Sequence, residues 1–222
     1  MSRYGILIYF LLLLTLIHCT GNRAKEKVPA SPVEAESPLP DSTYLFNGKN
    51  LDGWEITNFG PQGPVYVSGN AIILGMGEGC TGITWNKDFP ELNYRVTLEA
   101  KRVSGNDFFC GMTFPVGKDP CSLIIGGWGG TVVGLSSIDG KDASENETTK
   151  LMKFETDRWY RICLTVRNDT IRAMIDDTIV VNFIRGNKLL SVRPEVELSK
   201  PFGIASWKTT AAIRNIRVVK LK

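Results

Sequence analysis

Apolar and polar side chains alternate with a period of two through much of the chain, and this pattern limits the fold more than any other feature. Tyr94, Val96, Leu98 and Ala100 interleave with Arg95, Thr97, Glu99 and Lys101. Tyr160, Ile162, Leu164 and Val166 interleave with Arg161, Cys163, Thr165 and Arg167 in the same way. Successive side chains of an extended chain leave opposite faces, so each run predicts a strand with one buried and one wet face. Asn168-Asp169 and Asp176-Asp177 punctuate shorter apolar runs at 171–175 and 179–183, which reads as a meander of hairpins. Ile213, Ile216 and Val218 close the chain, with Asn215 marking a bulge. Beyond the N-terminal stretch no segment sustains a 3.6-residue apolar stripe. The expected fold is all-β, a two-sheet antiparallel jelly-roll sandwich rather than a single immunoglobulin-like module. The polar insertion between Gly134 and Lys150 is expected at a rim of the sandwich.

The first 43 residues read differently. Arg3 precedes an apolar run from Tyr4 to Ile17, which is shorter than the roughly 20 residues that span a bilayer. Residues 1–19 are therefore expected to be a signal peptide. Leu16-Ile17-His18-Cys19 resembles the bacterial lipoprotein cleavage motif, in which the cysteine is lipidated and becomes the new N-terminus. His18 stands where that motif has Gly, Ala or Ser, and an uncleaved anchor or ordinary secretion remain alternatives. Residues 20–43, with Pro29, Pro32, Pro38 and Pro40 among Ala, Ser, Glu and Lys, are expected to form an extended tether. The domain then runs over 44–222, held at a membrane through Cys19 on the periplasmic or cell-surface side.

Several chemistries drop out. The only histidine, His18, lies in the leader, so the mature chain lacks the residue needed for Ser-His-Asp or Cys-His catalysis and for His-ligated metals. Lys+Arg 26 against Asp+Glu 23 leaves a net charge of +3, too small and dispersed for nucleic-acid binding. Gly77-Glu78-Gly79-Cys80-Thr81-Gly82 has the spacing of a dinucleotide fingerprint, but Ile83-Thr84-Trp85 continues it as a strand. Cys80, Cys110, Cys121 and Cys163 form no C-x-x-C pair, so no zinc or redox site is expected, and neither is a cofactor. A hairpin at Gly117-Lys118 would oppose Cys110 to Ile125 rather than Cys121, leaving one disulfide and none equally open.

The candidate site residues are aromatic, acidic and basic. Trp128 is framed by Gly126-Gly127 and Gly129-Gly130, which lets the indole stand clear of a loop and offer its face to a sugar ring; the alternative is a core tryptophan between two bends. In Ser206-Trp207-Lys208-Thr209, an extended backbone would place Trp207 and Thr209 on one face and Lys208 on the other. Trp207 is then expected in a binding groove, with Lys208 reaching in from its rim. Trp54 and Trp159 read as structural. Asp107, before Phe108-Phe109, is expected to begin a strand at a sheet edge. Glu195 and Glu197 alternate with Val196 and Leu198 and so would share one face of a strand, each raising the other's pKa; the alternative is solvated charges paired with Arg193 and Lys200. Glu195 or Asp107 is the candidate base, and Arg193 or Lys208 the candidate stabiliser of negative charge.

At these positions the chain resembles a known family. Tyr44-Leu45-Phe46-Asn47-Gly48-Lys49-Asn50-Leu51-Asp52-Gly53-Trp54 is similar to the opening "LFNGKDLDGW" of the 3-keto-disaccharide hydrolase family. Lys87-Asp88-Phe89, Phe202-Gly203-Ile204 and Ile213-Arg214-Asn215-Ile216-Arg217 resemble its later blocks. The resemblance implies a concanavalin A-like jelly roll, bacterial export, and hydrolysis of glycosides oxidised at the 3-position. Two stretches depart from it. Many members carry N-S-G-x-F-x-R where this chain has Asn106-Asp107-Phe108-Phe109-Cys110-Gly111, and Q-D-H-G where it has Ala205-Ser206-Trp207-Lys208. The chain therefore resembles a divergent branch. A carbohydrate-binding domain without catalysis is the competing expectation.

Overall fold

In the computed structural model, which describes residues 42–222, the alternating segments pair into two antiparallel sheets. The first contains β1 (Ser42–Tyr44), β3 (Val65–Ser68), β4 (Ala71–Leu74), β6 (Tyr94–Gly105), β11 (Tyr160–Val166), β12 (Thr170–Ile175), β13 (Thr178–Ile184) and β15 (Thr209–Lys220). The second contains β2 (Trp54–Ile56), β5 (Cys80–Trp85), β7 (Cys110–Val116), β8 (Asp119–Gly127), β9 (Val132–Ser136), β10 (Lys150–Leu151) and β14 (Gly203–Trp207). Strand order is β13-β12-β11-β6-β15-β4-β3 in the first, with β1 also on β15, and β10-β9-β8-β7-β14-β5-β2 in the second. The architecture is a jelly-roll sandwich. The signal peptide, most of the tether and Cys19 lie outside the described residues; β1 starts at Ser42, two residues ahead of the expected domain start.

The period-two runs do what their pattern demands. Tyr94, Val96, Leu98 and Ala100 on β6 and Tyr160, Ile162, Leu164 and Val166 on β11 are all buried. They meet Cys110, Met112, Phe114, Leu123, Ile125, Val133 and Leu135 of the opposite sheet in one core. Burying such side chains contributes about 1.5–3 kcal/mol each before the opposing chain entropy. Asn215, with φ +54, sits at the register shift between Arg214 and Arg217, as a bulge requires. Trp54 closes the core edge-on to Trp85 at 5.1 Å, its Nε1 donating to the Leu45 carbonyl at 2.7 Å. Trp159 is only half-buried and lies between Lys101 and Arg214, the latter 4.0 Å from its ring centre.

Strands β7, β8 and β9 are buried on both faces, which hides their alternation in sequence. Their outer face is covered partly by the 137–149 loop, which folds back on β9 instead of standing at a rim. Asn146 is buried there, its Nδ2 donating to the carbonyls of Leu135 (2.7 Å) and Asp142 (2.7 Å). The loop lies so close that a Cβ at Gly134 would come within 3.1 Å of the Ala143 carbonyl. The hairpin at Gly117 (φ +68) opposes Cys110 to Ile125 and Cys121 to Phe114. Cys80, Cys110 and Cys121 are buried free thiols, each pushed up to about 12 by desolvation.

The segment expected as a strand with Glu195 and Glu197 side by side is a 3-10 helix, Pro194–Ser199. Pro194 has no N–H to give a ladder, and its fixed φ suits a first helical turn. The two carboxylates consequently diverge: Glu195 turns toward Arg193, whereas Glu197 pairs with Lys200. Asp107 is corrected too. It lies in the turn between β6 and β7, and β7 sits inside its sheet between β8 and β14 rather than at an edge.

Candidate functional site

On the outer face of the second sheet is a cavity of about 240 Å³. Strand phase supplies its floor. On β8, Cys121, Leu123 and Ile125 point to the core and Ser122 and Ile124 point out; on β9, Val133 and Leu135 point in and Ser136 points out. On β14, Ile204 is in the core, so Trp207 emerges on the cavity side. The walls come from Asp107-Phe108, from Trp128, and from Arg193, Glu195 and Val196. Five residues singled out in the sequence (Asp107, Trp128, Arg193, Glu195 and Trp207) thus line one cavity.

Lys208 and Glu197 do not belong to it. Lys208 is exposed and takes φ +43, the left-handed conformation that ends β14 and carries the chain to the other sheet. Thr209 consequently does not share a face with Trp207. It is fully buried, and its Oγ1 accepts from the Asp107 backbone N–H at 3.1 Å.

Trp128 is 40% exposed and itself takes φ +47, flanked by Gly126 (+77), Gly129 (+82) and Gly130 (+103). The loop is fastened from below by a residue that the motif reading passed over. Arg102 is buried, and its Nη2 donates to the carbonyls of Asp107 (3.2 Å), Gly130 (3.1 Å) and, more distantly, Gly126 (3.4 Å). Burial pulls this guanidinium below the ordinary arginine range, opposed by Asp107 and Tyr160. A signal existed in sequence: Arg102 continues the inward phase of Tyr94, Val96, Leu98 and Ala100, where no charge belongs without a purpose.

The two cavity carboxylates differ. Glu195 accepts from Arg193 through both oxygens, Nη2 to Oε1 at 2.8 Å and Nε to Oε2 at 3.2 Å. Arg193 Nη1 donates to Asp142 Oδ2 at 2.8 Å, which ties the 137–149 loop to the cavity wall. These bonds hold Glu195 below the usual glutamate range, with burial pushing the other way, so the raised pKa expected of paired carboxylates is not found. Among the described residues no cation forms an ion pair with the Asp107 carboxylate, although the Arg102 guanidinium lies near enough to feel its charge. Its Oδ1 accepts the Phe108 N–H at 2.7 Å, while Oδ2 receives only a long contact of 3.4 Å from the Gly129 N–H. Asp107 therefore offers a carboxylate oxygen to a ligand, whereas Glu195 orients Arg193.

Solved structures share this fold at low identity. A candidate glycosyl hydrolase from Parabacteroides distasonis is 14% identical with a TM-score of 0.54, over 82% of this chain and 94% of its own. The Crh5 transglycosylase, solved with NAG, is 12% identical with a TM-score of 0.59, over 82% and 85% of the two chains. The carbohydrate-binding module CBM66 from Bacillus subtilis is 14% identical with a TM-score of 0.51, over 80% and 100%. No curated protein matches the sequence. The family model for the 3-keto-alpha-glucoside-1,2-lyase-like domain matches residues 41–219, from β1 into β15 and across every wall of the cavity, and the chain belongs to that family.

Proposed function

We propose that the cavity binds a saccharide oxidised at C3 and breaks its glycosidic bond by elimination. The observation that carries this reading is the meeting of two indoles, Trp128 and Trp207, in one cavity with the Asp107 carboxylate, whose Oδ2 receives only a long contact among the described residues. Indole faces suit the C–H face of a sugar ring. A ketone at C3 acidifies the proton on C2, so Asp107 Oδ2 takes that proton and the C2–H electrons move into an enolate on O3. The enolate then reforms the ketone, C1=C2 forms, and the C1–O bond breaks. The departing oxygen takes up a proton, and water adding across the double bond completes a net hydrolysis. Arg193, whose guanidinium keeps N–H groups beyond those given to Glu195 and Asp142, is the donor for the enolate oxygen. No histidine is required.

The test is incubation of the protein with 3-keto-trehalose or 3-keto-sucrose beside the unoxidised sugars. Turnover of the keto sugars alone is expected, and Asp107→Asn should lower it by roughly 10²–10⁴-fold while sugar binding persists. Binding without turnover would favour a lectin-like module, a reading supported by Arg193 occupying both oxygens of the second cavity carboxylate. No binding of either sugar class removes both readings. The same proposal places the domain outside the cytoplasm, tethered through a lipid on Cys19. Detergent-phase partition of the wild type, lost in Cys19→Ala, is the expected result.

A further inference from the structure

The floor of the cavity holds an unmet hydrogen-bonding group. Thr113 is registered with Ser122 across β7 and β8, and Ser122 with Ser136 across β8 and β9. Three hydroxyl residues therefore lie in a row on adjacent strands, whose backbones are spaced by the roughly 4.8 Å of a sheet. Thr113 Oγ1 and Ser122 Oγ satisfy each other at 2.9 Å. Ser136 Oγ, in a side chain turned outward into the cavity and 1% exposed, has no hydrogen-bond partner among the described residues. Buried hydroxyls without partners are uncommon, because losing water without gaining a bond is unfavourable.

We propose that Ser136, backed by Ser122, forms a specificity subsite for one hydroxyl of the bound saccharide. This rests on the saccharide reading above and adds which side of the ring is read. A serine hydroxyl donates and accepts, and it turns about a single χ1 bond to meet a ring hydroxyl that does the same. The surrounding charges favour a neutral substituent. Arg193 is already shared between Glu195 and Asp142, and Asp107 faces the same cavity, so a uronate or phosphate would meet the two cavity carboxylates and one engaged cation. Ile124 and Val196 beside the serines leave an apolar surround, in which a lost hydrogen bond is strongly felt.

A mutant–ligand cycle tests the subsite. The full chain would be titrated calorimetrically with methyl 3-keto-glucoside and its 2-, 4- and 6-deoxy counterparts. For the wild type, one deoxy analogue is expected to bind about tenfold more weakly than the parent sugar. Ser136→Ala should lose the same factor on the parent and bind that analogue no more weakly than the wild type does. Ser136→Cys, which keeps the bulk with a weaker donor, should show the same analogue-selective loss and serves if the alanine variant does not fold. An unchanged affinity for the parent, or an equal loss on every analogue, overturns the subsite while leaving the saccharide reading intact. Failure of the wild type to bind any of the four sugars defeats the saccharide reading itself.

Discussion

Replacing Arg102 with methionine keeps most of the buried aliphatic stem and removes the guanidinium beneath the Trp128 loop. Three carbonyls lose their donor, but the 3.4 Å contact to Gly126 is marginal and carries little weight. Those of Asp107 at 3.2 Å and Gly130 at 3.1 Å remain. A carbonyl stripped of its donor costs about 1–3 kcal/mol, and removing a buried cation whose Nε has no partner returns part of this. The net destabilisation is about 2–4 kcal/mol. For a domain of this size that lowers Tm by roughly 5–15 °C, measurable by circular dichroism. The loop should loosen beyond the global effect, so acrylamide quenching of Trp128 should rise well below the melting range. Because the chain has 5 tryptophans, the Trp128 signal is isolated by difference against Trp128→Phe in both backgrounds. Arg102→Lys keeps a charge but not the reach of a planar fork and should recover only part of the loss. A Tm within 2 °C of wild type with unchanged quenching would refute the account and leave the glycine turns as sufficient support.

The remaining predictions concern the site and the core. Trp128→Ala should weaken saccharide binding by about 1–3 kcal/mol in calorimetry with little change in Tm, since the indole is outside the core; a large fall in Tm would contradict its exposed placement. The folded-state pKa of Glu195 is depressed, so the stabilisation by its pair with Arg193 is present above the ordinary glutamate value of about 4.3 and fades as pH falls through the lower folded value. The Tm gap between wild type and Glu195→Gln should therefore be open at pH 6 and narrow as the pH is lowered below the ordinary glutamate value; a constant gap would contradict the ion pair. Cys80, Cys110 and Cys121, held near 12 and buried, should resist alkylation in the native protein at pH 8 and react after denaturation, read by mass spectrometry of the labelled peptides.

The first sheet was legible because its strands β6 and β11 have one face in water, which writes a clean period of two. Strands β7 to β9 were not, because both of their faces are buried, the outer one partly under the 137–149 loop, and this dissolves the alternation. Glu195 was identified as a site residue but given the wrong backbone, since Glu-Val-Glu-Leu alternates as a strand would and only Pro194 argues otherwise. Lys208 was misplaced because a single left-handed residue breaks the extended register assumed from Ser206 to Thr209. Ser122 and Ser136 carry no motif at all. Their importance comes from cross-strand pairing between segments that the sequence separates.

The last of the described strands in chain order, β15, is also a central one. It fills the slot between β6 and β4 and receives β1 at its end. Until Thr209–Lys220 is free to pair, Tyr94–Gly105 and Ala71–Leu74 are unfinished edges, and no earlier fragment owns a closed core. A growing domain thus stays open until Thr209–Lys220 has been synthesised. The same delay leaves adhesive strand edges bare until then. Truncation before Thr209 should therefore yield aggregates captured by chaperones rather than a smaller folded domain.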